Sequence, residues 1–291
     1  MNEKTNFKTH FACLAALFVL GSGIITLPTK NADQFTLYAL IISIIFTFLI
    51  YFIVSIIKKE FLEKHSKTKI LKILAAVIYT AIAIYALFTF SYTFKIFTRF
   101  AAHILLRDTS YLTAAILLGL VVWFFASRSQ VDILKFSLVC LIAALPVILF
   151  FFFAAMGDYK ADNIFIFNFP EFQNLLKNLY PFLKEISFPV IILLSFTTQH
   201  KGTSKSTVTG IFIGYILLFL CLSSAIMLFG TTFAARIEYP YTAAVSTVSV
   251  GRLFTRMDYF SYFIYFTSAI IKSTVCIFTV KECLKNLNEI M

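Results

Sequence analysis

Charge is scarce in this chain. Only 13% of its residues are Asp, Glu, Lys or Arg and 60% are hydrophobic, against roughly a quarter charged and half apolar in a soluble domain, so the composition places the chain in a membrane. The apolar blocks recur too closely to leave room for a soluble catalytic domain. Catalytic motifs are missing as well. His10, His65, His103 and His200 have no metal-ligand spacing, and no phosphate-binding glycine loop, glycine-rich strand-to-helix turn or nucleophile elbow occurs. These absences give no support for an enzyme, and no cofactor is expected. No small-residue cleavage site follows the first apolar run, which comes after Lys4 and Lys8, so that run reads as a retained helix rather than a signal peptide. Cys13, Cys140, Cys221 and Cys276 lie inside apolar blocks and Cys283 near the C-terminus. Without an extramembrane pair they read as small buried hydrophobes, not disulfides.

Positive charge is in excess: 25 Lys and Arg against 14 Asp and Glu give a net charge of +11. The basic residues sit in short loops between apolar blocks, with no basic stripe interleaved with aromatics, which argues for topology signals and against nucleic acid. Apolar runs broken by charge or proline give eight spans, at 11–27, 36–57, 70–98, 111–127, 133–153, 184–200, 207–233 and 258–281. They lack the period-2 alternation of barrel strands, so the predicted fold is an all-α polytopic membrane protein, one membrane domain over 1–291. With the N-terminus inside, fourteen lysines and arginines fall on the cytoplasmic side and ten outside, the excess resting on the 58–72 loop. Both termini are therefore expected in the cytoplasm. Arg99, Lys184 and Arg236 count among the ten external charges. Phe172, Leu175, Leu176 and Leu179 predict a short helix lying on the outer membrane surface, and Tyr239-Pro240-Tyr241 through Leu253 a second interfacial helix.

Two places interrupt the helical pattern. Gly21-Ser22-Gly23 precedes Pro28 in the first span. It reads either as an unwound segment whose backbone groups hold a ligand or as small-residue helix packing. Gly210 and Gly214 in the seventh span read as packing. In the sixth span, Tyr180-Pro181 precedes Glu185-Ile186-Ser187-Phe188-Pro189. Pro189 removes a hydrogen bond and clashes with the preceding turn, so the helix is expected to open near Glu185 to Ser187. Glu185 reads either as a group at the outer water interface or as one at the midplane. Breaks five helices apart match transporters built from inverted repeats, here 11–153 and an incomplete second repeat over 184–281. Lys272, well inside the last span, costs on the order of 2.5 to 3.5 kcal/mol unless paired or wet. It is either a proton-coupled functional group or a lysine snorkelling toward the inner interface.

Gly21-Ser22-Gly23-Ile24-Ile25 with Pro28 resembles the first-helix motif of the amino acid/polyamine/organocation superfamily. Tyr239-Pro240, Val248-Ser249-Val250-Gly251-Arg252-Leu253, Arg256-Met257-Asp258 and Ile270-Ile271-Lys272-Ser273 resemble, more narrowly, the endospore germination permeases, the membrane-embedded B subunits of nutrient germinant receptors. The stretch from Asp162 to Phe172, with Phe169-Pro170, is also similar. The resemblance implies a five-plus-five inverted-repeat fold in which helices one, three, six and eight surround an amino-acid-like germinant, other receptor subunits as partners, and the inner spore membrane as location. It nominates Gly21, Ser22, Gly23, Ile24, Glu185, Ser187 and Phe188 as ligand-binding residues and Lys272 as the coupling group. Two departures stand out. The chain ends after eight spans rather than ten, and Ser187-Phe188-Pro189-Val190 stands where a glycine-containing segment is expected. Three readings follow: a germinant-sensing subunit, a proton-coupled amino acid transporter, or a truncated, non-binding membrane protein.

Overall fold

Long dry segments satisfy their backbone groups internally, and each predicted span becomes helical in the computed structural model, which describes residues 3–27, 35–57, 69–106, 109–163, 172–196, 204–248 and 258–290. The helices are α1 (Glu3–Thr26), α2 (Thr36–Ile57), α3 (Lys69–Phe100), α4 (Tyr111–Ser127), α5 (Gln130–Ala154), α6 (Phe172–Phe182), α7 (Val190–Phe196), α8 (Ser204–Phe229), α9 (Thr231–Ala234), α10 (Pro240–Thr247) and α11 (Asp258–Ile290). Among the described residues there is no strand. Among the described residues six helices are long and apolar enough to cross a bilayer, Phe7–Thr26, Thr36–Ile57, Lys72–Leu105, Gln130–Asp158, Ser204–Phe229 and Asp258–Glu289, and a seventh, Tyr111–Ser127, is shorter. The sixth predicted span, 184–200, is not one helix: it starts in a π turn at Leu183–Ser187 that continues from α6 and resumes as α7, and its residues 197–200 lie outside the described residues.

The bounds of α2 and α4 coincide with the apolar runs, because charge and turn residues flank both ends. Ser110 and Ser129 cap α4 and α5, their hydroxyls accepting from the backbone N–H of Thr113 at 3.2 Å and of Asp132 at 3.3 Å. The last helix runs to Ile290 rather than to 281. The surface helix expected from Phe172 to Leu179 forms, but it is not a separate element. It runs on through a π turn at Leu183–Ser187 into the start of the predicted sixth span, with Asn178, Leu179 and Phe182 buried. The second predicted helix forms as α10, which packs on α8 and α11, while its predicted continuation over 249–253 lies outside the described residues.

Helix α1 runs through the centre of the bundle, packed on α8, α11 and α5. Its residues Leu14 to Leu20 are buried without interruption. Gly210 and Gly214 allow this. A Cβ on Gly210 would run into the backbone of Ala12, and one on Gly214 would lie 2.8 Å from the Ala16 carbonyl oxygen. Small residues four apart thus let α8 lie against α1 at backbone distance. Helices α2 to α5 instead expose large apolar side chains such as Phe52, Phe88, Trp123 and Phe153, the surface that a bilayer covers. All five cysteines are free and buried, as the sequence suggested.

Candidate functional site

The helical geometry is interrupted at both places. In α1 the backbone at Gly21 leaves helical geometry (φ −5°, ψ −109°), kinking the helix, although hydrogen bonding resumes to Thr26. In the sixth span the π turn holds Glu185, Ile186 and Ser187, and Phe188 donates its N–H to the carbonyl of Leu183 at 2.9 Å, five residues back. Pro189 supplies no N–H, and the chain turns there before α7 starts at Val190. A π turn widens the helix and aims its carbonyls off axis.

Lys272 joins the two breaks. Its side chain is 1% exposed and its Nζ donates to the backbone carbonyl oxygen of Glu185 at 2.8 Å. The ammonium also stands 5.4 Å from the centroid of the Phe18 ring, on α1. A Cβ on Gly21 would lie 2.5 Å from Lys272 Cδ, so the kinked glycine is where the lysine stem passes α1. The ammonium is therefore turned into the bundle and not toward the inner interface, because the widened π turn offers it an acceptor. The Glu185 carboxylate is close enough to interact electrostatically with Lys272, and the Tyr92 phenol reaches the same carboxylate.

Above this junction is a cavity of about 740 Å³. Its walls are the end of α1 at Ile25 and Thr26, α3 at Tyr92, Ile96 and Arg99, the end of α6 and the π turn from Tyr180 to Glu185, and the segment from Ala235 to Tyr239. It lies on the side opposite the N-terminus of α1, and Glu185, 4% exposed, is both its wall and its contact with Lys272. Arg99, Lys184 and Arg236, read from sequence as topology signals, line it as well. Lys184 Nζ stands 4.4 Å from the Tyr92 ring centroid, and the Tyr239 hydroxyl donates to Glu238 at 3.0 Å. Burial first, and then the Glu238 carboxylate, push the Tyr239 phenol above its usual range, so it stays protonated at neutral pH.

The remaining candidates divide. A Cβ on Gly23 would lie 3.5 Å from Ile186 and from Leu218, an ordinary contact distance, and Ile24 faces Leu218, Cys221 and Tyr241. The side chain of Ser22 lies outside the described residues. Of the nominated residues, Glu185 lines the cavity, whereas Gly21, Gly23, Ile24, Ser187 and Phe188 do not. Phe188 is 42% exposed on the perimeter, because the turn at Pro189 rotates it outward. Ser187 instead belongs to a buried hydroxyl cluster that the sequence did not reveal. Thr47 Oγ1 donates to Ser187 Oγ at 2.7 Å and is 2.6 Å from the Tyr215 hydroxyl, and Ser43 Oγ donates to Tyr215 at 3.3 Å. The cluster fastens the π turn to α2 and α8. Tyr215→Phe is expected to lower stability by about 1 kcal/mol, read as a lower melting temperature in detergent. The signal available in sequence was Ser43 and Thr47, one turn apart in a largely apolar helix.

The chain gives no match among curated proteins and none among solved structures. The family model described as spore germination protein matches residues 7–290. That match takes in both breaks, Lys272 and every wall of the cavity. Kinked first helix, opened sixth span and buried lysine are thus features of a germination-related integral membrane protein, and the chain belongs to the spore germination protein (spore permease) family.

Proposed function

We propose that this chain is the permease-like, ligand-binding subunit of a germinant receptor in the inner spore membrane, with both termini in the cytoplasm. A small nutrient, an amino acid by the family resemblance, enters the outward cavity and engages the two breaks at its floor. Residues 11–153 act as the first repeat of an inverted-repeat scaffold, and 184–281 belong to the second. The observation that carries this reading is the Lys272 ammonium bound to the Glu185 carbonyl beneath the cavity. That one hydrogen bond connects α11 to the π turn, and the lysine stem passes Gly21 of α1. A ligand that interacts with Glu185 differently in two arrangements of this junction shifts the balance between them, and partner subunits read the shift.

The test is thermal unfolding of the purified chain in detergent against a panel of amino acids, sugars and nucleosides. A ligand that binds only the folded state raises the apparent melting temperature. One compound class is expected to give a saturable rise, about 2.7 kcal/mol of added stability at a hundred times its Kd. A folded sample that none of them stabilises overturns the reading.

Burial of Lys272 favours one second reading, a proton-coupled amino acid carrier in which this ammonium gives up and regains its proton. Uptake into proteoliposomes driven by a proton gradient, and abolished in Lys272→Ala, is its expected result. Binding without uptake leaves the receptor.

A further inference from the structure

The walls of the outward cavity carry more positive than negative charge, and the two signs are differently engaged. Arg99 comes from α3, Lys184 from the π turn and Arg236 from the segment before α10, so three separate elements converge on one space. Of the two carboxylates in its walls, Glu238 accepts from Tyr239 at 3.0 Å, and Glu185 faces Tyr92 and Lys272. The three cations, by contrast, have no carboxylate partner among the described residues. Lys184 rests on the Tyr92 ring, and Arg99 faces the Tyr239 phenol. A concave space with low-dielectric walls focuses the field of such charges. At about 740 Å³ it is also within the roughly 300 to 1,000 Å³ of small-molecule sites.

Charge balance then selects the ligand. A zwitterion with no net charge leaves the cavity positive, with Lys272 adding a further positive charge under its floor. A solute with a net charge of −1 or −2 neutralises it and supplies oxygen acceptors for the guanidinium forks. We propose that Arg99, Lys184 and Arg236 form an anion site for a small organic acid of net negative charge, an acidic amino acid or a dicarboxylate in preference to a neutral amino acid. This rests on the nutrient-binding reading above and narrows its ligand class.

The experiment uses the full chain in phosphatidylcholine nanodiscs at low ionic strength. Glutamate, succinate, alanine, lysine and inorganic phosphate are titrated, with thermal unfolding as readout. Glutamate or succinate is expected to stabilise saturably at concentrations where alanine and lysine do nothing. Added salt weakens the effect. R99Q and R236Q are each expected to weaken it about tenfold, and K95Q, one turn from Arg99 on α3 but outside the cavity walls, is expected to leave it unchanged. The unliganded melting temperature of each variant shows that it folds, and lysine at Arg99 restores part of the affinity.

Alanine binding as well as glutamate, with the same affinity in R99Q, overturns the anion site and leaves the nutrient site standing. Phosphate matching glutamate overturns the organic-acid class. Stabilisation by phosphatidylglycerol in the disc, with none by any solute, assigns the charges to lipid headgroups and overturns the proposal. A folded chain that no solute and no anionic lipid stabilises overturns both this proposal and the reading beneath it.

Discussion

Gly210→Ala is expected to cost the bundle about 3 kcal/mol or more, enough to lose most folded protein from a detergent extract. The added Cβ meets the carbonyl oxygen, carbonyl carbon and Cα of Ala12, all backbone atoms that no rotamer change moves. Overpacking in a close-packed interior typically costs 1 to 3 kcal/mol, and the upper end applies because relief requires α1 and α8 to separate. Separation also loosens the contact at Gly214, one turn on, where α8 lies against Ala16. The matched control is Gly119→Ala on α4, whose Cβ would meet only Phe94 Cζ at 3.8 Å. Alanine is the better helix former by roughly 0.5 to 1 kcal/mol, so this variant is expected to be neutral or slightly stabilised. Melting curves by fluorescence-detected size exclusion separate the two. Equal stability of Gly210→Ala and the parent would mean that α1 and α8 do not approach at backbone distance.

Lys272→Met is expected to abolish the ligand-induced rise in melting temperature while the unliganded protein changes little. Methionine keeps much of the stem that packs past Gly21 and Phe18 but carries no charge. Its apolar replacement of a buried ion recovers desolvation energy, against about 1 to 3 kcal/mol for the Glu185 carbonyl left without its donor. The two changes oppose each other. Lys272→Ala also leaves a void and is expected to lose roughly 2 to 5 kcal/mol, by analogy with other large-to-small core changes. The methionine variant therefore isolates the ammonium, whereas the alanine variant mixes its loss with a packing defect. A full ligand response in a well-folded Lys272→Met protein would show that the hydrogen bond to Glu185 is structural and that the coupling lies elsewhere.

The opening of the sixth span was legible from sequence because it rests on a local rule, that Pro189 cannot donate a hydrogen bond. At Gly21 the sequence left unwinding and small-residue packing both open, and the structure has a kink there. Lys272 was legible as anomalous for an equally plain reason, a charge in a dry run. What the lysine faces was not legible, since its acceptor is a backbone carbonyl 87 positions away that becomes available only when the π turn forms. Ser187 and Phe188 were nominated by proximity to the break. The turn itself sends one into the hydroxyl cluster with Thr47 and the other out to the perimeter.

The sequence by itself determined the class of the protein and its helical segments, because burying a backbone in lipid is feasible only as helix or closed barrel and these runs lack the barrel period. It also determined the family through its motifs. The tertiary structure decided which charges act together. Arg99, Lys184 and Arg236 look like ordinary boundary residues when each is read on its own helix end, and electrostatic interaction depends on distance in space rather than along the chain. Only the packing of α1, α3, the opened sixth span and the segment before α10 brings them around one cavity, above the lysine that holds its floor.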